Sequence, residues 1–375
     1  MKYYLVAGEA SGDLHASNLM KGLRAEDPEA EFRFWGGDKM LAVGGTLVHH
    51  YKEGAVMGAS DVLRKAGTLL GNLKACKQDI LAWHPDVLIL IDYPGFNLKL
   101  AAFAHRKGIK VFYYIAPKTW ASRPSRNRRL KKNVDMLYIV FPFEKEYFSC
   151  QGMEYVYLGN PLVEAVEQAA TETLCTSPYI AVLPGSRAGE ISRTMPIVCS
   201  VADELHKLPE YKDFKFLIAG APARDESDYI PFLKGREDYM QLHFDKTYSI
   251  VKGAQAAIVN SGTASLETAL LGTPQLVCWS TSPFTAFLAQ HVLRVLDRVK
   301  YVSLANLIDD SLIFKEFLQN DFNTANVAGE LRRILEDPLY RDTMLQGYER
   351  VNKALGQGNA SRAFARDMIE RISSR

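Results

Sequence analysis

The stretch Tyr3-Tyr4-Leu5-Val6-Ala7-Gly8-Glu9-Ala10-Ser11-Gly12-Asp13 decides the fold. Its first five residues run without a charge, as in a strand buried on both faces, and a cluster of small residues and acids then opens a helical pattern. The same order returns at Tyr179-Ile180-Ala181-Val182-Leu183-Pro184-Gly185-Ser186-Arg187. A strand, a tight turn and a helix that start twice in one chain point to two α/β domains.

Outward from these two starts, short apolar runs continue each half. Val87–Ile91, Lys110–Ile115 and Met136–Val140 follow the first, and Lys215–Ala219, Ala256–Val259 and Gln275–Trp279 follow the second. Helical stretches of roughly 10–20 residues separate them, which predicts parallel sheets with helices on both faces. Gly159-Asn160-Pro161 and the polar stretch Glu167–Ser177 place a boundary near residue 165. After Leu312 the pattern is helical throughout: Ala325–Leu335, Tyr340–Leu355, Ala360–Ile372. The expected architecture is two Rossmann-like domains facing a cleft. The first spans 1–165 and is completed by helices from about 340–375; the second spans 166–339.

Composition agrees. A chain of 375 residues suits two domains, and 47% hydrophobic with 23% charged residues is an ordinary globular balance. Lysine and arginine total 45 against 43 acids, so the net charge of +2 gives no general reason to expect nucleic acid. Cys76, Cys150, Cys175, Cys199 and Cys278 form no CxxC pair and read as free thiols in a reducing compartment. The apolar run at the start is too short for a signal peptide, and no 18 apolar residues run together. The expectation is a cytoplasmic, soluble protein, at most peripheral to a membrane.

Ligands of open α/β sheets bind beyond the carboxyl ends of the strands, so the strand-end loops carry the chemistry. In the first loop Gly8 and Gly12 allow close backbone approach, and Glu9 and Asp13 would repel a diphosphate; a sugar hydroxyl suits it better. The alternative is a plain turn with Ser11 or Asp13 as helix cap. Gly185, Ser186 and Arg187 converge on a helix start, an arrangement for phosphate, and without a Walker lysine ATP hydrolysis is not expected. Ser261, Gly262, Thr263 and Ala264 open another helix, with Glu267 one turn in, where a carboxylate can accept ribose hydroxyls. A capped helix with a first-turn acid is the rival reading. Asp92, at the end of Val87–Ile91, can serve as a general base or as an Asx turn before Pro94. Asn97 lies in the same loop, and the loop Tyr113–Trp120 adds an aromatic sugar face.

There is no DxD pair, HExxH or GxSxG. His49-His50 reads as a solvated pair in a loop, and His15 as a helix-surface residue or one facing the cleft. From Arg123 to Lys132, six of ten residues are basic, including Arg126, Arg128 and Arg129. Val62, Ala66, Leu69, Leu70, Leu73 and Ile80 recur at helical spacing among Arg64, Lys65, Lys74 and Lys77. Such a stripe is either core packing or a basic amphipathic helix on a bilayer.

An ordered set of motifs resembles the lipid-A-disaccharide synthase family of GT-B glycosyltransferases. It runs from Val6–Asp13 through Val56-Met57-Gly58, Asp92–Asn97, Phe141-Pro142-Phe143-Glu144, Leu183–Arg187 and Ser261–Ala264 to Tyr301–Asn306. The resemblance implies transfer of 2,3-diacylglucosamine from its UDP derivative to 2,3-diacylglucosamine 1-phosphate (lipid X), with inversion, giving a β-1′,6-linked disaccharide and UDP. It implies activity roles for Asp92, Arg187 and Asn306, a UDP side at the Arg187 and Glu267 loops, and peripheral attachment to the cytoplasmic face of the inner membrane. It also implies a possible homodimer by exchange of C-terminal helices. Together with the residues it makes Asp92 or Glu9 the base, with no metal cofactor. It assigns Ser11, Gly12, Asn97 and Trp120 to the acceptor, and Val62, Arg64, Lys65, Leu69, Leu70, Leu73 and the three arginines to the membrane. Asn160, Ser122 and Ala116 depart from the family's usual histidine, tryptophan and serine, and Asn160 cannot act as an acid near pH 7. The rival readings are another UDP-sugar enzyme of this fold, such as a hexosaminyltransferase or a 2-epimerase, and a non-catalytic nucleotide-binding membrane adaptor.

Overall fold

Val87-Leu88-Ile89-Leu90-Ile91 is buried along its whole length, and a strand hides five consecutive apolar side chains only when helices cover both faces of its sheet. Tyr179–Leu183 and Ala256–Asn260 are buried in the same way. The computed structural model describes residues 1–54, 62–121, 123–281, 300–356 and 358–374, without the side chains of 62–66. Val56-Met57-Gly58, Ser122 and the side chains of Val62, Arg64, Lys65 and Ala66 therefore lie outside the described residues.

The chain divides into two compact units, Met1–Ala165 with Gln357–Arg375, and Val166–Gly356. The first holds β1 (Lys2–Ala7), β2 (Glu31–Gly36), β3 (Thr46–His50), β4 (Val87–Ile91), β5 (Lys110–Tyr114), β6 (Met136–Ile139) and β7 (Tyr155–Tyr157). They form one parallel sheet in the order β3-β2-β1-β4-β5-β6-β7. The second holds β8 (Tyr179–Leu183), β9 (Lys215–Gly220), β10 (Met240–Phe244), β11 (Ala256–Asn260), β12 (Gln275–Trp279) and β13 (Glu316–Leu318). These are again all parallel, in the order β10-β9-β8-β11-β12-β13. Each sheet is Rossmann-like, the α/β class expected of a GT-B chain.

All eight strands read from the sequence are present. The ones it missed are β2 and the four sheet edges, β3, β7, β10 and β13. An edge strand pairs on one side only and carries more polar residues, so Thr46–His50 and Met240–Phe244 lack the continuous apolar run of a central strand. His49 and His50 thus sit on an edge strand rather than in a loop, 3.1 Å from Glu53 and 3.3 Å from Asp38. Glu316–Leu318 likewise interrupts the tail expected to be wholly helical.

One expected helix belongs elsewhere. Pro338–Leu355 lies in the second unit, where Tyr348 meets the Phe314 ring at 6.1 Å and Arg350 pairs with Asp309 at 2.7 Å. Only helix Ala360–Ser373 returns to the first unit. There Phe364 packs edge-on against Tyr114 and Tyr138, and Arg362 pairs with Glu26 at 2.5 Å. Gly22 makes the contact possible, because a Cβ there would lie 2.9 Å from the Ser361 carbonyl oxygen.

Candidate active site

In each sheet the strand order reverses once, between β1 and β4 and between β8 and β11, and ligands of such sheets bind at these switch points. The register Ala7↔Ile91 brings the Gly8–Asp13 and Asp92–Asn97 loops out side by side. The register Val259↔Leu183 does the same for Pro184–Glu190 and Ser261–Glu267. The four loops singled out in the sequence are therefore two neighbouring pairs.

In the first unit the Tyr93 ring occupies the space a Cβ on Gly8 would need, as close as 2.5 Å, so only glycine fits. Gly12 is buried against Ala7 and Ile91, and it packs helix on strand rather than facing a ligand. Asp13 caps the next helix: its carboxylate accepts from the backbone N–H of Gly37 (2.9 Å), Lys39 (3.0 Å) and Met40 (3.1 Å). Glu9 and Ser11 stay exposed at the loop surface.

Asp92 and Tyr93 both take left-handed backbone conformations, φ +41° and +47°, unusual for two successive non-glycine residues. The turn is held from several sides. The Asp92 N–H donates to Tyr114 O (3.3 Å), and its carbonyl accepts from Tyr113 Oη (2.6 Å) and Asn97 Nδ2 (2.8 Å). The Asp92 side chain is half-buried. Burial raises its pKa, Glu9 adds to the rise, and Lys118 and Arg126 oppose it. A carboxyl raised in this way is a stronger proton acceptor once ionised.

Asn97 corrects its expected role. It is fully buried, and its Nδ2 also donates to Val6 O (3.3 Å) and Ile91 O (3.1 Å), so it laces the ends of β1 and β4 instead of touching an acceptor. Asn260 is the counterpart in the second unit, donating to Pro184 O (3.3 Å) and Thr194 Oγ1 (3.0 Å). Trp120 is fixed by Glu144, whose Oε1 accepts from the indole at 3.1 Å, and by the edge-on ring of Phe143. Glu144 also accepts from the N–H groups of Val140 and Phe141, both at 3.1 Å, and burial pushes its pKa up to about 7. The sequence marked Phe141–Glu144 as a motif but gave Glu144 no task. Asn160 is buried and bridges Val140 O (3.0 Å) to Leu162 N (2.9 Å), a backbone role open to asparagine. His15 is buried rather than on the helix surface; burial holds its pKa near 4, Lys118 adds to that, and Nδ1 has no hydrogen-bond partner among the described residues.

In the second unit Gly185 adopts φ +114°, where a Cβ would lie 2.6 Å from that of Glu190. The Glu190 carboxylate accepts from Ser186 N (2.9 Å) and Arg187 N (3.2 Å) and pairs with Arg187 Nη1 at 3.1 Å. Two of the amides expected to face phosphate are thus engaged by Glu190 in this state, while the Arg187 side chain remains 69% exposed. Helix Thr263–Leu270 starts after Ser261 and Gly262. Its Glu267 accepts from Tyr248 Oη at 2.7 Å; burial raises the Glu267 pKa and the tyrosine opposes the rise. Tyr248 lies in helix Thr247–Lys252, just beyond the carboxyl end of β10, an edge strand without an apolar run, so nothing in its sequence surroundings marks it.

Asn306 is also turned inward. Its Nδ2 donates to Phe314 O (3.0 Å) and Glu316 Oε1 (2.9 Å), and its Oδ1 accepts from Ile313 N (3.0 Å). Glu316 in turn accepts from Val302 N, Ser303 N and Ser303 Oγ at 2.8, 2.9 and 2.6 Å. Asn306 is fully buried, and both ends of its amide are committed to holding the Val302–Ser303 segment through Glu316 and the Ile313–Phe314 backbone.

The apolar stripe splits in two. Leu73, Cys76 and Ile80 belong to the core, Leu69 is partly buried against it, and Leu70 is 60% exposed. Leu73 is thus not a membrane contact. Arg128 and Arg129 are exposed, whereas Arg126 is partly buried and its charge acts on Asp92. An open cavity of about 640 Å³ lined by Leu14, Lys21, Arg24 and Lys39 shares no residue with the strand-end loops. Among the described residues no cluster of three His, Cys, Asp or Glu could hold a metal, and no helix is long and apolar enough to cross a membrane.

Known proteins match this arrangement. A family model described as lipid-A-disaccharide synthetase matches residues 3–365. The lipid-A-disaccharide synthase of Geobacter metallireducens is 32% identical over 99% of this chain and 97% of its own. That of Myxococcus xanthus is 34% identical over 98% and 96%. Among solved structures, UDP-GlcNAc 2-epimerase from Neisseria meningitidis bound to UDP-GlcNAc superposes with a TM-score of 0.68 at 14% identity, covering 99% of this chain and 100% of that one. The spinosyn forosaminyltransferase SpnP does so at 0.60 and 15%, with both chains fully covered. At these identities the structures share the fold alone, whereas the full-length match to the family model and to the synthases shows that this chain belongs to the lipid-A-disaccharide synthetase family.

Proposed function

We propose that the chain transfers 2,3-diacylglucosamine from UDP-2,3-diacylglucosamine to the 6-hydroxyl of lipid X, giving the β-1′,6-linked disaccharide and UDP. The observation that carries this reading is the family match over 3–365 together with a carboxyl held at the first sheet's switch point. Inversion takes one displacement. The acceptor O6 forms a bond to the donor's anomeric carbon, the bond from that carbon to the diphosphate oxygen breaks, and UDP departs with the electron pair. Asp92 takes the O6 proton, with Glu9 close enough to influence its charge. The exposed Arg187 guanidinium and the helix start at Gly262 offset the charge on the departing diphosphate, and Glu267, oriented by Tyr248, takes the ribose hydroxyls. With those groups the reaction runs without a metal, so chelator should leave the rate unchanged.

Leu70, exposed on helix Val62–Trp83, and Arg128 and Arg129, exposed on helix Asn127–Asn133, support peripheral attachment to the cytoplasmic face of the inner membrane. Helix Ala360–Ser373, docked on the first unit from the far end of the chain, supports a homodimer formed by exchanging that helix; the concentration dependence of mass in solution tests it. The deciding experiment mixes purified protein with UDP-diacylglucosamine and lipid X and looks for disaccharide and UDP by mass. UDP released without lipid X, or no disaccharide, would overturn the synthase reading and favour a different UDP-sugar enzyme.

A further inference from the structure

Two cations stand beside Asp92 with no carboxylate committed to them. Lys118 lies in the loop after β5 and Arg126 ends the turn Pro124–Arg126, both at the carboxyl end of the first sheet. Both are partly buried. Among the described residues neither makes an ion pair, although Arg33, the partly buried arginine of β2, is paired with Asp79 at 2.6 Å. Asp92 itself lies beyond ion-pair distance of both.

The surrounding charges sharpen the point. The register Ile91↔Tyr114 puts the loop that carries Lys118 next to the Asp92 turn, and the Lys118 charge is felt by Asp92, His15 and Glu144. Arg126 acts on Asp92 and Tyr113, and it has like charges in Arg123 and Arg129 as neighbours. Partly burying Arg126 beside Arg123 and Arg129 is unfavourable, and an added anion relieves it. His15 adds a neutral imidazole whose Nδ1 is buried and unpartnered.

We infer that Lys118 and Arg126 form the binding site for a sugar phosphomonoester, the anionic group of the acceptor, next to the base. This rests on the reading above, in which the first unit takes lipid X. In a hexosamine 1-phosphate C1 and C5 both flank the ring oxygen, so the phosphate and the 6-hydroxyl are close neighbours on one side of the ring, and the anion site must neighbour Asp92 without coinciding with it. Two forked or rotatable cations beyond ion-pair distance of Asp92 meet that requirement.

The experiment compares lipid X with the same diacylglucosamine lacking phosphate, on the full chain and on Lys118→Ala, Arg126→Ala and Arg126→Lys. The wild type should prefer the phosphorylated acceptor. Either alanine variant should cut that preference about tenfold or more, the size of a lost charge-assisted hydrogen bond, with the donor KM unchanged and partial rescue in Arg126→Lys. Arg128→Ala and Arg129→Ala separate the other source of phosphate: they should weaken binding to vesicles of anionic phospholipid and leave the acceptor preference intact. In parallel, ³¹P line broadening of glucosamine 1-phosphate by the wild type should be lost in the alanine variants. An unchanged preference, an equal loss on both acceptors, or a loss confined to vesicle binding overturns the site. If the wild type forms no disaccharide, the synthase reading fails, and ³¹P broadening that depends on Lys118 and Arg126 still decides the anion site.

Discussion

Asp92 and Glu144 are raised carboxyls of one unit, yet their surroundings suit them to different work. Asp92 is partly buried at a strand end with its backbone pinned, so its carboxylate can meet a hydroxyl. Asp92→Asn should lower kcat by roughly 10²–10⁴-fold with donor affinity by calorimetry unchanged; a near-normal rate would remove Asp92 from the chemistry. Glu144 is closed in and accepts from three N–H groups. Its folded pKa, about 7, lies above the ordinary value near 4.5, so the folded state holds the extra proton between these values. Its contribution to stability is present below pH 4.5 and is lost as pH rises through 7, on the order of 3 kcal/mol. The stability gap between wild type and Glu144→Gln in urea titrations should therefore shrink over that range. At this scale the sequence is legible where position alone implies chemistry, as for an acid ending a buried strand. It is silent on asparagine, because Asn97 and Asn306 offer the same amide whether it faces a ligand or the backbone. It is silent too on Tyr248, which matters only through a fold contact with Glu267.

The elements tell a similar story through their sides. Central strands announce themselves by unbroken apolar runs, and edge strands do not, since half their surroundings are polar. Helix Val62–Trp83 shows why periodicity alone cannot choose between bilayer and core: Leu70 and Leu73 are three residues apart on one apparent stripe, but the first is 60% exposed and the second 6%. Leu73→Ala should cost about 2–4 kcal/mol by chemical denaturation, as for other buried leucines. Leu70→Ser should stay within about 0.5 kcal/mol of wild type and weaken vesicle binding. If Leu73→Ala were harmless, its place in the core would be wrong.

For the molecule as a whole, two repeats of one sheet plan were readable from the restart at Tyr179, and the return of the last helix was expected. The placement of Pro338–Leu355 was not readable, because an amphipathic helix carries no address; its partners Phe314 and Asp309 exist only once the second unit is folded. Phe364, fully buried between Tyr114 and Tyr138, tests the return of the last helix. Phe364→Ala should lower the stability of the first unit by about 3–5 kcal/mol and leave the second unit's calorimetric transition in place. A single transition shifted as a whole would show that the units unfold together.

The split first unit also sets an order of events during synthesis. Its sheet is translated early, but the helix that covers Ala10–Glu26 leaves the ribosome only after every residue of the second unit has emerged. The second unit is contiguous, so all of its residues precede the segment that completes the first, against the simple N-to-C order of domain folding. Before that helix arrives, the Tyr114 and Tyr138 rings and the outer face of Ala10–Glu26 are bare apolar surface, the part of the nascent first unit that a chaperone or a membrane has most to bind.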